Sequence, residues 1–172
     1  MSIIFKQTSK PIIWFTGLPG SGKTTISKAF YKLLIKKKYK KIKLIDGDKF
    51  RKKIKNFNYS KLDRNKVGDS KIKFGKKFNL KGYIVLISGV ASSKNWRRKI
   101  KKKNSNLIEI YIKCSNKILR KRKKNLYHEN KIEKYQEGNT KDIIVNSQIQ
   151  NSLESAKKIF KYLIKKNKLE TN

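Results

Sequence analysis

A chain of 172 residues has the length of one domain and ample material for a buried core. Its 47 Lys and Arg against 11 Asp and Glu give a formal charge of +36, and its single Cys excludes a disulfide framework within the chain. No apolar run approaches membrane-spanning length and residues 1–10 carry no secretory pattern, so a cytoplasmic protein with no membrane partner is expected. The charge would attract phosphate-rich partners. The lysines are spread over the whole chain, however, with no aromatic RNA-binding motif between them. Lys, Asn and Ile are all abundant, as AT-rich codons favour, so nucleic acid is expected only as an incidental partner at low salt.

In chain order, residues 1–10 form a polar lead-in. The apolar run 12–15 predicts a buried strand and breaks into a Gly-rich turn. Gly17, Gly22, Lys23 and Thr24 fit the pattern G-x-x-x-x-G-K-[ST], the P-loop. Glycines let backbone N–H groups turn inward on a phosphate, and the following helix adds its N-terminal positive charge. Gly17, Leu18, Pro19, Gly20, Ser21, Gly22, Lys23, Thr24 and Thr25 are therefore candidates to hold ATP. In such loops the lysine reaches the β/γ-phosphates and the hydroxyl binds Mg²⁺.

Ile26, Ala29, Phe30, Leu33 and Leu34 recur at helical spacing and predict a helix over 24 to about 38. Residues 42–45 read as a second strand ending in Asp46-Gly47-Asp48. Carboxylates at the end of a parallel strand sit where ligands bind. They could accept a proton from an attacking hydroxyl and help hold Mg²⁺, with Thr24, or they could close an Asx-type turn around Gly47. A short helix follows over 49–54, with Arg51 one turn beyond the carboxylates. Ser60 to Asp63 read as a cap and first turn of a helix reaching about 79, which Gly68 and Gly75 weaken. Arg51 and Arg64 are suited to clamp an anionic substrate.

The continuous apolar run 83–87 predicts a central parallel strand, ended by Ser88-Gly89. A basic helix over 95–103 precedes a strand over 107–112, and Cys114 reads as a packed thiol in the same segment. The basic helix from 117 to about 127 carries Arg120, Arg122 and Lys124, as a lid over ATP phosphates or as a solvated face. A polar stretch over 129–141, a short strand over 143–145 and a closing helix over 152–167 complete the chain. This alternation predicts an α/β fold: a parallel, about five-stranded sheet with helices on both faces, in a single domain over 1–172.

The sequence resembles the adenylylsulfate kinases. The match runs through Trp14-Phe15-Thr16-Gly17-Leu18-Pro19-Gly20-Ser21-Gly22-Lys23-Thr24-Thr25 and Ile45-Asp46-Gly47-Asp48-Lys49-Phe50-Arg51. It continues in Tyr59-Ser60, Asp63-Arg64, Gly82-Tyr83-Ile84-Val85-Leu86-Ile87-Ser88 and Lys124-Asn125-Leu126-Tyr127. The P-loop is generic; the DGD-x-x-R element followed by DR is the specific part. The resemblance implies a three-layer P-loop kinase fold. It also implies transfer of the ATP γ-phosphate to the ribose 3′-hydroxyl of a small nucleotide with Mg²⁺, and a homodimer as the common assembly.

It further implies Asp46 as the catalytic carboxylate, helped by Lys23 and Ser88, with Thr24, Asp46 and Asp48 near the metal. Asp48, Arg51, Tyr59, Arg64 and Lys124 fall at substrate-side positions, Tyr59 where a Phe stacks on the base. The departures are specific. Where the family follows its DR with x-Glu-Asn, this chain has Asn65, Lys66 and Val67, so a substrate-contacting Asn is lost. The Phe-Ile-Ser-Pro-Tyr after the serine is replaced by Gly89-Val90-Ala91-Ser92-Ser93, and the lid, about 120–142, is shortened. The second aromatic of the base clamp has no clear counterpart, with Tyr135 as the candidate. The ATP side is thus expected intact and the base side rebuilt. Adenylylsulfate is the acceptor by family, and cytidine diphosphoramidate, used by some members in capsule pathways, is its rival.

Overall fold

The computed structural model describes residues 10–56, 58, 60–91, 93–123, 135–137 and 141–170. Five strands, β1 (Ile12–Thr16), β2 (Ile42–Asp46), β3 (Ile84–Ser88), β4 (Leu107–Lys113) and β5 (Ile143–Asn146), form one sheet in the order β2-β3-β1-β4-β5. Every pairing is parallel. Among the described residues six helices cover it: α1 (Lys23–Lys36), α2 (Gly47–Lys53), α3 (Lys61–Asn79), α4 (Lys94–Lys102), α5 (Asn116–Arg122) and α6 (Ser152–Lys165).

The central strands are buried on both faces, and alternate residues feed two separate cores. Ile13 and Phe15 pack with Ile26, Phe30, Leu34, Ala156, Ile159 and Leu163 under α1 and α6. Ile12 and Trp14 pack with Val67, Ile72 and Ile100 under α3 and α4. This is the three-layer α/β arrangement expected from the sequence. No helix of the described residues is long and apolar enough to cross a membrane.

Two glycines that weaken α3 on propensity have packing reasons. A methyl group on Gly68 would lie 2.5 Å from the Trp96 ring, and one on Gly75 would lie 3.1 Å from Val85. The cost of glycine in a helix, about 1 kcal/mol, is offset by close approach to α4 and to the sheet. Helix α2 starts two residues earlier than the sequence suggests, because Asp46 caps it. Helix α5 starts at Asn116, capped by Ser115. The rest of the expected helix, and most of 129–141, lie outside the described residues. Cys114 falls just past the end of β4 and is half-buried, with Arg122 Nη1 4.0 Å from its Sγ.

Parallel order and register decide where the chemistry sits. Asp46 pairs in register with Ser88, and Ser88 with Phe15, so the carboxyl ends of β2, β3 and β1 lie side by side. The loop after β1 and the start of α2 therefore face one crevice, the position where ligands bind in open parallel sheets.

Candidate active site

The P-loop joins β1 to α1 in a tight turn. Ser21 N–H donates to the Leu18 carbonyl at 3.2 Å. Gly17 cannot carry a side chain, since a methyl group there would lie 2.6 Å from the Ile112 carbonyl oxygen. Gly22 is the N-cap of α1 with φ 95, a left-handed conformation that glycine adopts without penalty. The first turn of α1 contains no acidic residue and no side chain caps it. Its N–H groups and dipole are left to an anion.

Lys23 Nζ donates to the Leu18 carbonyl at 2.7 Å, folded back over the loop. Burial lowers its pKa to about 8, against the raising effect of Asp48 and Asp46, with Arg64 adding to the lowering. Arg122 Nη1 donates to the Gly20 carbonyl at 3.1 Å. The end of α5 thus rests on the loop. Arg120, on the same helix, is exposed, and no hydrogen bond ties it to the P-loop among the described residues. Lys124 lies outside the described residues.

Asp46 does two jobs with its two oxygens. Oδ1 accepts the Asp48 and Lys49 N–H groups, each at 3.1 Å, which caps α2. Oδ2 accepts the Thr24 hydroxyl at 2.8 Å and the Ser88 hydroxyl at 3.3 Å. The turn-forming reading of this residue is therefore realised on Oδ1, while Oδ2 meets hydroxyls of the P-loop and of β3. Desolvation raises its pKa. The Lys49 N–H, Thr24 hydroxyl, Asp48 N–H and Ser88 hydroxyl lower it by more, so the carboxylate stays below its ordinary 3.8. It is ionised at neutral pH and can accept a proton from a hydroxyl held beside it.

Thr24 Oγ1 and Asp46 Oδ2 are hard oxygen donors beside the P-loop, with Asp48 exposed two residues along. That set suits Mg²⁺, which takes one or two carboxylates and fills its remaining positions with water and phosphate oxygen. No group of three or more His, Cys, Asp or Glu among the described residues forms an all-protein metal cage.

On the substrate side, Arg51 is buried and its Nη1 donates to the Asn58 carbonyl at 2.9 Å and Asn56 Oδ1 at 3.3 Å. Arg64 is half-buried near the start of α3 and acts electrostatically on Lys23. Tyr59 lies outside the described residues. Tyr135 has ring contacts within the chain: Tyr111 stacks on it at 4.6 Å and 12°, and Arg97 sits 4.4 Å over it. Its hydroxyl lies 3.4 Å from Thr16 Oγ1 and 3.2 Å from Glu109 Oε1. Arg97 also pairs with Glu109 at 2.9 Å, both almost fully buried. This buried polar group props the end of β1 from below, and the sequence reading does not single it out. Only the out-of-place charge of Glu109 in the apolar run of β4 hints at it. Lys71 is likewise not singled out by the sequence; its ammonium sits beside Gly89 and Gly47, and the charges of Arg51, Lys23, Asp48 and Asp46 act on it.

Comparison with known proteins bears on the family and the fold. The family model described as adenylylsulphate kinase matches residues 9–147. A cytidine diphosphoramidate kinase of Campylobacter jejuni is 36% identical over 117 residues, 67% of this chain and 68% of that protein. A probable adenylyl-sulfate kinase of Archaeoglobus fulgidus is 32% identical over 112 residues, 64% of this chain and 72% of that protein. In fold, the APS kinase of Mycobacterium tuberculosis, solved with AMPPNP and APS, superposes with a TM-score of 0.79 at 19% identity. The match covers 91% of this chain and 98% of that one.

Proposed function

The chain belongs to the adenylylsulphate kinase family, and from that premise we propose that it transfers the γ-phosphate of ATP to the ribose 3′-hydroxyl of a nucleotide bearing an anionic 5′ group. One observation carries the reading: the ionised Asp46 carboxylate, held by the Thr24 hydroxyl of the P-loop at 2.8 Å. Its Oδ2 is the atom that would take the proton as the sugar oxygen attacks the γ-phosphorus. The P-loop N–H groups and the Lys23 ammonium would hold the β- and γ-phosphates, and Arg122 would close over them. Mg²⁺, held by Thr24 and Asp46 with Asp48 nearby, would neutralise charge on the phosphate oxygens. Arg51 and Arg64 would orient the acceptor, with Tyr59 stacking on its base.

Two acceptors fit that description, adenylylsulfate and cytidine diphosphoramidate. One position departs from the adenylylsulfate pattern and keeps the second as an even rival. Val67, where the family carries a substrate-contacting Asn, is buried in the apolar core under α3 and has no hydrogen bond to offer. A site that has lost such a partner shifts its discrimination between bases by orders of magnitude. The test offers each acceptor separately with Mg-ATP and follows ADP release. Turnover of one or both supports the reading. Release of ADP with neither, alongside release with a non-nucleotide alcohol, would move the protein to another acceptor class.

A further inference from the structure

Lys71 projects from the middle of α3 to the carboxyl ends of β2 and β3. It is 3% exposed. A methyl group on Gly89 would lie 2.2 Å from its Nζ and one on Gly47 would lie 3.4 Å from it, so the ammonium fills space that these two glycines leave. Its one described neighbour of note is the Trp14 ring, 5.4 Å away. No hydrogen bond or ion pair engages this ammonium among the described residues.

A buried polar group without a partner calls for an explanation, and a buried charge calls for one more strongly. Helical spacing supplies part of it: Lys71 lies two turns after Arg64 on the same face of α3. Together Arg51, Arg64, Lys23 and Lys71 outnumber the two carboxylates, Asp46 and Asp48, that share their crevice. Lys23 folds back on the Leu18 carbonyl of the P-loop, while the Lys71 ammonium sits beside Gly47, at the start of α2, and Gly89.

We propose that Lys71 is an acceptor-binding residue whose ammonium takes an anionic oxygen of the phosphorus- or sulfur-bearing group on the acceptor nucleotide. The inference rests on the nucleotide kinase reading above. Burial, with Arg51 and Lys23 nearby, lowers the pKa of the unliganded lysine to about 7. A ligand bringing negative charge therefore relieves the site, and an uncharged one does not. Sulfate-bearing and phosphoramidate-bearing acceptors share this chemistry, and running both distinguishes them.

The experiment compares wild type, Lys71→Met and Gly89→Ala by steady-state kinetics and by melting temperature. Lys71→Met should raise the acceptor KM about ten- to a hundredfold, the value of a lost charge-assisted hydrogen bond. The ATP KM should change much less than the acceptor KM, since no hydrogen bond ties Lys71 to the P-loop among the described residues. The same variant should melt no lower than wild type, because apolar volume replaces an unpaired buried charge. Gly89→Ala should raise the acceptor KM in the same sense by displacing the ammonium, and it keeps the test open should Lys71→Met fail to fold. An unchanged acceptor KM in the folded variants would overturn the proposal. So would a lowered melting point with both KM values moved alike, the mark of a structural lysine. Wild type inactive on every nucleotide acceptor would instead sink the parent reading. Pyrophosphate and sulfate titrated into the ADP-bound protein then decide Lys71 alone: equal binding by wild type and Lys71→Met would overturn its role.

Discussion

Replacing Asp46 by Asn separates the two jobs of that side chain. Asn is as good an N-cap as Asp, so its Oδ1 can keep the Asp48 and Lys49 N–H groups now held at 3.1 Å. The amide nitrogen replaces the oxygen that accepts the Thr24 and Ser88 hydroxyls, and both hydroxyls can rotate to accept instead. The fold should therefore lose no more than about 1 kcal/mol, or roughly 2–4 °C in melting temperature for a chain of this size. Catalysis should lose far more. General-base assistance contributes about 10²- to 10⁴-fold, equivalent to about 2.7–5.4 kcal/mol on the barrier. ADP release with a saturating acceptor should fall by that factor in kcat while binding of a fluorescent ATP analogue holds. A kcat within threefold of wild type in a variant that melts normally would refute the assignment of Asp46 as base.

Four further outcomes follow from the same geometry. Asp46 has a folded pKa below 3.8, so its stabilising contribution is present above that pH and fades only as pH falls through the folded value; no acid limb from this group should appear in kcat above about pH 4. Lys23 has the opposite sign: with a folded pKa near 8 against an ordinary 10.5, its burial costs stability below pH 8, and that cost lifts as pH climbs toward 10.5. Losing the proton above 8 should raise the ATP KM, and Lys23→Ala should cut activity at least about a hundredfold, the scale for one preorganised donor; a flat ATP KM from pH 7 to 9.5 would contradict this. Arg122→Met removes an exposed contact to the Gly20 carbonyl at 3.1 Å and should raise the ATP KM only about two- to fivefold. Glu109→Gln takes the carboxylate from a buried guanidinium. About 3–5 kcal/mol should be lost, visible as a melting point lower by roughly 6–20 °C; a fall under 2 °C would show the pair to be dispensable.

What the sequence disclosed were features that local chemistry decides. β1, the P-loop and the start of α1 are contiguous, and strand, glycine turn and helix each leave their own residue pattern there. The parallel sheet with helices on both faces needed only the alternation of apolar runs and helical patterns, whereas the strand order β2-β3-β1-β4-β5 was not legible in it. What stayed hidden depends on partners distant in the chain. Gly68 and Gly75 read as weak points of α3 because Trp96 and Val85, which fit against them, lie far along the sequence. Asp46 reads as either a turn residue or a ligand residue, since sequence does not distinguish its two oxygens. Tyr135 reads only as a candidate for the second base-clamp aromatic, and its contacts with Tyr111 and Arg97 appear only in the fold. Lys71 is one lysine among many in the sequence, and only folding separates it from the solvated ones.

The account turns on the distance between one carboxylate and one sugar oxygen. A crystal structure with a non-hydrolysable ATP analogue, Mg²⁺ and an acceptor that wild type phosphorylates measures it directly. An Asp46 oxygen within about 3.2 Å of the ribose 3′-oxygen, the reach of a general base, is the expected result. A 3′-oxygen well beyond that reach, with a different acceptor oxygen facing the γ-phosphorus, would contradict the account.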